Sequence, residues 1–230
     1  MIDWAILSQY RTAQPTCTVV SVKSSEPAPR AYHSSLREEQ AEQTKQRIAR
    51  AARQRFVESG WAGTSVRSVA ADAGVSEATV YAVYGTKAGL ATSLVESGEL
   101  DAGVEQVARE IDAAQGDPRG QLAAFIRFDR RLFERGGDGL RLTVEGGRNE
   151  PALAAAYEQG RARGDANRRG LFASWPSGAL RDGLTLDRAL DVYATVCSIQ
   201  TFDIATRERG WSVDEVEQWW VETLTELLLA

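Results

Sequence analysis

The chain has 230 residues, 43% hydrophobic and 26% charged, with a formal net charge of −5, the composition of an ordinary globular protein with room for one large or two small domains. No apolar run reaches the about 18 to 20 residues that a membrane-crossing helix needs, and the first residues lack the basic start and apolar centre of a secretory leader, so a cytoplasmic protein is expected. A single histidine, His33, excludes a Ser-His-Asp triad or a His-based metal site in the folded part, and Cys17 and Cys197 have neither metal nor disulfide spacing and read as free thiols; no enzyme, metal or cofactor is expected.

Residues 1 to 38 are rich in Ser, Thr, Gln and Pro, with Pro15, Pro27 and Pro29 and no sustained periodicity, and read as a disordered tail. The first helix is expected from about Thr44 to Ser59. Ile48, Ala52 and Phe56 recur at four-residue spacing on one face, Lys45, Arg47, Arg50 and Arg53 lie outside it, and Gly60 ends it. A second helix from about Ser65 to Ala73 buries Val69, Ala70 and Ala73. Gly74 follows as a residue able to take a left-handed turn, and Ser76 caps a third helix, with Val75 and Val80 as the apolar pair across its entry. Two helices joined by a glycine corner make a helix-turn-helix. Its outward residues, Glu77, Ala78, Thr79 and Ala82, are those that would lie nearest base edges in a major groove, with Ser76 at the helix entry. Ser65, Arg67, Tyr81 and Lys87 would meet phosphates. Glu77 has two readings, as an acceptor for a cytosine amino group or as a carboxylate that favours the helix N-terminus.

Charge divides along the chain. Residues 43 to 95 carry seven basic and three acidic side chains, a net +4, whereas residues 96 to 230 carry 16 basic and 24 acidic, a net −8. A basic head on an acidic body lets one surface meet phosphate while the rest is repelled.

The stretch TSVRSVAADAGVSEATVYAVYGTKAGL resembles the N-terminal DNA-binding domain of the TetR family of transcriptional regulators. The matching marks are Thr64 and Ser65, Val69-Ala70, Ala73-Gly74-Val75-Ser76, Val80-Tyr81, and the Tyr84-Gly85-Thr86-Lys87 exit with Leu90. Val83 departs from the Tyr or His usual there.

Thr86 is placed to cap a helix from Lys87 to about Ala114 that joins head to body, weakened in propensity at Gly98 and Gly103. Asp117-Pro118 opens a helix with Leu122, Phe125, Ile126, Asp129 and Phe133 at helical spacing, closed at Gly136-Gly137, with a short helix over Leu140 to Gly146 after it. Another is expected from Pro151 to about Trp175, and one from Thr185 to Gly210. Ser212 and Glu215 form a capping box for a last helix whose apolar stripe is Val213, Val216, Trp220, Leu224 and Leu227. Of the body aromatics, Phe125, Phe128, Tyr157, Trp175 and Tyr193, with Cys197 one turn after Tyr193, are taken as candidates for a ligand pocket.

The expected fold is therefore all-α, with about nine helices: a helix-turn-helix domain over residues 39 to 86 and a helical body over 87 to 230. The C-terminal segment also resembles many TetR-family members, in which the last two helices pair with those of a second subunit. The resemblance implies a ligand-responsive regulator, a repressor by the family's usual output although an activator would look the same in sequence, that binds a palindromic DNA operator as a homodimer, is released by a small-molecule effector held in the body, and buries the Val213 to Leu227 stripe between subunits. A helical ligand-binding or scaffold protein without specific DNA binding is the alternative.

Overall fold

The computed structural model describes residues 31 to 230, so the tail reading for residues 1 to 30, and Cys17 within it, lie outside that range. The described residues form ten α-helical segments and fall into two compact units divided between Leu90 and Ala91.

In the N-terminal unit, helix α1 spans Ala31–Gly63. It therefore starts well before Thr44, and residues 31 to 38 are helical rather than part of a disordered tail. The run Arg37 to Glu42 is made of good helix formers, and the Thr44 hydroxyl and the Gln46 amide bond back to Gln40 and Glu42 one turn earlier. Gly60 breaks the helical path with φ 64° and ψ −175°, after which one further turn carries Trp61 back to stack on Phe56. Helix α2, Val66–Ala73, opens on a reciprocal box in which Ser68 N–H donates to Ser65 Oγ (3.0 Å) and Ser65 N–H to Ser68 Oγ (3.2 Å). Gly74 closes it at φ 65°, and Val75 N–H returns to the Ala70 carbonyl at 3.0 Å, the hydrogen bonding of a glycine-terminated helix. Helix α3, Glu77–Tyr84, is capped by Ser76, whose Oγ accepts from Thr79 N–H at 3.1 Å. Ile48, Ala52, Val69, Ala70, Val80 and Leu90 form the buried centre of this unit.

Helix α4, Lys87–Asp101, is capped by Thr86 and belongs to both units. It does not run to Ala114. The chain turns at Gly103 (φ 83°) into α5, Val104–Ala113. The turn is held from the helix that follows α5, because Arg135 donates to the Asp101 carbonyl and Arg131 to the Ala102 carbonyl, each at 2.8 Å, satisfying the last acceptors of α4 with positive charge.

Helix α6 is a single element, Pro118–Gly146, rather than two helices parted at Gly136-Gly137. These glycines serve contact, not termination. A Cβ on Gly98 would lie 2.7 Å from Gly136 Cα, and one on Gly139 would lie 3.1 Å from the Leu94 and Val95 backbone, so α6 meets the body portion of α4 backbone to backbone. Gly136→Ala should therefore lower the midpoint of thermal unfolding. Overpacking at about 1–3 kcal/mol outweighs the roughly 1 kcal/mol that alanine gains in a helix; a raised midpoint in a thermal melt would show that the backbones yield without strain.

Helix α7, Pro151–Ala173, and α8, Leu186–Val196, follow. The expected single helix from Thr185 to Gly210 is broken. Ser198 opens a fresh capping box with Thr201, giving the one-turn α9, Ile199–Asp203, and then a π-turn over Ile204–Glu208. Helix α10, Val213–Leu228, begins on the Ser212 and Glu215 box as expected. In the body, α6 packs against α5, α7, α9 and α10, with α8 lying against α7 and α10. No helix among the described residues is long and apolar enough to cross a membrane.

The α10 stripe has a partner within its own chain. Val216, Trp220 and Leu224 are fully buried, and the Trp220 ring stands 5.9 Å from Phe133 and 6.0 Å from Phe202. These three residues are core, which corrects their assignment to a subunit interface. Of that set Val213 is half-buried, and only Leu227 is exposed, at 41%.

Candidate functional site

On the head, the caps and the apolar centre fix α2 and α3, leaving one face of α3 free. Glu77, Ala78, Tyr81, Ala82 and Val83 are exposed along it, Tyr81 by 49%. Ser65 and Arg67 stand exposed at the start of α2, and Ser76 at the start of α3. Thr79 is half-buried, and its hydroxyl lies 2.9 Å from Ser76 Oγ. Lys87 is placed otherwise than expected: its ammonium donates to the Trp61 carbonyl and sits 4.0 Å from the Trp61 ring centroid, so the structure gives it to the end of α1 and not to an outward face. Three groups that the sequence reading gave no structural role position the reading helix. The Tyr84 hydroxyl donates to the Lys45 carbonyl (3.0 Å) and ties α3 to α1. Arg55 and Asp72 tie α1 to α2. Buried Thr64 lies within hydrogen-bond distance of the Arg55 and Gly60 carbonyls across the Gly60 bend.

In the body, four of the six pocket candidates gather in one aromatic cluster. Phe125 meets Phe128 and Tyr193 edge-on, and Phe172 stacks on Trp175 at 4.3 Å and meets Tyr193. Cys197, a free thiol, borders it. Tyr157 stands apart, outside the apolar core, its hydroxyl accepting from Gln200.

The cluster encloses a polar group that the pocket reading left out. Asp129 Oδ2 accepts from the Tyr193 hydroxyl (2.9 Å), from Arg168 Nη1 (3.3 Å) and from the Cys197 thiol (3.6 Å). Both charged partners are buried. Burial pushes the Asp129 carboxyl above the ordinary carboxylate range, opposed by Arg168 and the two donors. Burial, and then the nearby Asp129, drive the Tyr193 phenol and the Cys197 thiol well above their usual values, so both stay neutral. For Arg168 burial works against the charge, but Asp129 and Asp165 outweigh it and the guanidinium stays protonated. Among the described residues no group of three or more His, Cys, Asp or Glu side chains is placed to hold a metal ion.

The family profile described as "Bacterial regulatory proteins, tetR family" matches residues 48 to 94, the same helices whose caps and exposed face are set out above. A TetR-family DNA-binding domain therefore occupies residues 48 to 94. No curated protein matches its sequence. Solved structures share the fold across both units. Pseudomonas aeruginosa NalD, the secondary repressor of the MexAB-OprM multidrug efflux pump, is 24% identical over 82% of this chain and 98% of its own, with a TM-score of 0.65. A transcriptional regulator from Saccharomonospora viridis in complex with choline is 17% identical over 81% and 97%, TM-score 0.65. Bacillus subtilis FadR in complex with stearoyl-CoA is 17% identical over 79% and 98%, TM-score 0.65. The segment that holds this head, residues 43 to 95, carries the net positive charge, and the helical body carries the net negative charge.

Proposed function

We propose that this regulator binds an inverted-repeat operator as a homodimer, reads it with the exposed face of α3, and releases it when a small-molecule effector enters the body. The observation that carries this is the α3 face itself: Glu77, Ala78 and Ala82 are exposed on a helix whose ends, core and anchors are all satisfied elsewhere. Small side chains there allow the helix backbone to approach base edges closely, with Ser65, Arg67, Ser76 and Tyr81 available for phosphates. Two-fold symmetry supplies two such helices for two half-sites. For a second copy, α10 offers exposed Leu227 near the end of its apolar stripe, with half-buried Trp219 on the neighbouring face.

An effector seat in the body is supported by the aromatic cluster around Asp129, and small molecules held by fold relatives, choline and stearoyl-CoA, are consistent with it. Helix α4 contains residues of both units, which gives a ligand event in the body a covalent path to the head. Release by 100-fold requires about 2.7 kcal/mol of differential binding, within the usual range of coupling energies.

Arg67→Ala tests the phosphate surface. It should weaken binding to all DNA sequences alike and lower the slope of log affinity against log salt by about one, read by fluorescence anisotropy across a salt series. A loss confined to particular bases would remove Arg67 from that role.

A further inference from the structure

We propose that the effector seat is built for an organic cation on an apolar frame, and that Arg168 occupies it as an internal stand-in. This rests on the reading of the body as effector-binding. The Arg168 guanidinium carbon lies 4.9 Å from the Tyr193 ring centroid and 5.6 Å from that of Phe125, with Nη1 against Asp129. Aromatic faces closing on a desolvated carboxylate are what a lipophilic cation requires, and here the chain's own cation fills the place.

Two further observations support exchange. The first is charge. Two carboxyl groups, Asp129 at Nη1 and Asp165 at Nη2, flank one guanidinium; that arrangement favours a cation, and an added anion is opposed by both carboxyl groups. The second is the fit of Arg168. Its Nε is buried with no hydrogen-bond partner, so the guanidinium is imperfectly held where it is. It also has an exit: Nη2 already bonds Asp165 at 2.8 Å, one turn back on α7 and 40% exposed. By swinging toward Asp165 the long side chain keeps one ion pair and yields Asp129 and two ring faces to the ligand.

The test is calorimetry of the full chain with three probes: benzyltrimethylammonium, its uncharged isostere neopentylbenzene, and phenylacetate. The ammonium should bind at least about tenfold tighter than the isostere, with phenylacetate weakest. Arg168→Met should bind the ammonium about tenfold tighter still, because the competitor is gone, and Asp129→Asn should abolish the preference. If Asp129→Asn does not fold, the double variant Asp129→Asn/Arg168→Met, which leaves neither charge of the pair, should bind the ammonium and its isostere alike. Equal or tighter binding of the isostere or of phenylacetate overturns the proposal, as does binding of none of the three, ammonium binding by Arg168→Met no tighter than wild type, or a preference that survives loss of Asp129. Operator binding measured on the same preparations separates the two readings: a chain that binds operator yet favours the uncharged or anionic probe remains an effector-responsive regulator with another ligand class, whereas a chain that binds no operator fails as a regulator.

Discussion

Trp220→Ala should destabilise the folded chain by about 3–5 kcal/mol, the usual cost of emptying a large aromatic site in a core. Trp220 is fully buried on α10 and packs against Phe133 of α6 and Phe202 of α9, so its removal opens a hole where three helices meet. Urea unfolding followed by near-ultraviolet circular dichroism reads the loss as a lowered midpoint. Leu227→Glu, at an exposed position on the same helix, should keep that midpoint within about 0.5 kcal/mol while shifting light scattering from dimer to monomer. The opposite pattern, a stable monomeric Trp220→Ala chain, would return the stripe to the subunit interface.

Ala82→Glu should abolish specific DNA binding and leave the fold intact. Ala82 is exposed on α3, and its replacement adds no buried volume. In a complex with the reading helix in the major groove, the new carboxylate faces base edges and phosphates at both half-sites. Disruption at one contacted position costs about 1–3 kcal/mol, so two symmetric sites give about 2–6 kcal/mol, at least roughly 30-fold. Electrophoretic mobility shift with the wild-type operator measures it, with an unchanged thermal melt as the control. Unaltered binding would mean that a different surface reads the DNA.

The head was legible because its signals are local. Gly74, Ser76 and Thr86 each act on backbone within a few residues, and each stands at the cap or turn expected from the sequence. Glycines in the body misled for a physical reason: Gly136 looks the same whether a helix ends there or another backbone crosses it, and only the approach of Gly98 decides. Three residues of the α10 stripe, Val216, Trp220 and Leu224, are buried. A stripe records that something covers it, not what, and here α6 and α9 of the same chain do. At the candidate ligand site, Asp129 left a trace, a carboxylate at an apolar position of the α6 pattern between Phe125 and Phe133. Arg168 left none, since an arginine in Asn-Arg-Arg-Gly on a helix is ordinarily solvated, and its pairing with Asp129 spans 39 positions.

The most direct test of the account is selection of bound sequences from random double-stranded DNA by the full chain, with the Ala82→Glu chain run in parallel. The wild-type chain should enrich an inverted repeat whose half-site centres lie about one helical turn, roughly 34–36 Å, or a multiple of it apart, and the variant should enrich nothing. No enrichment by the wild-type chain, or the same motif recovered by both, would contradict operator reading through α3.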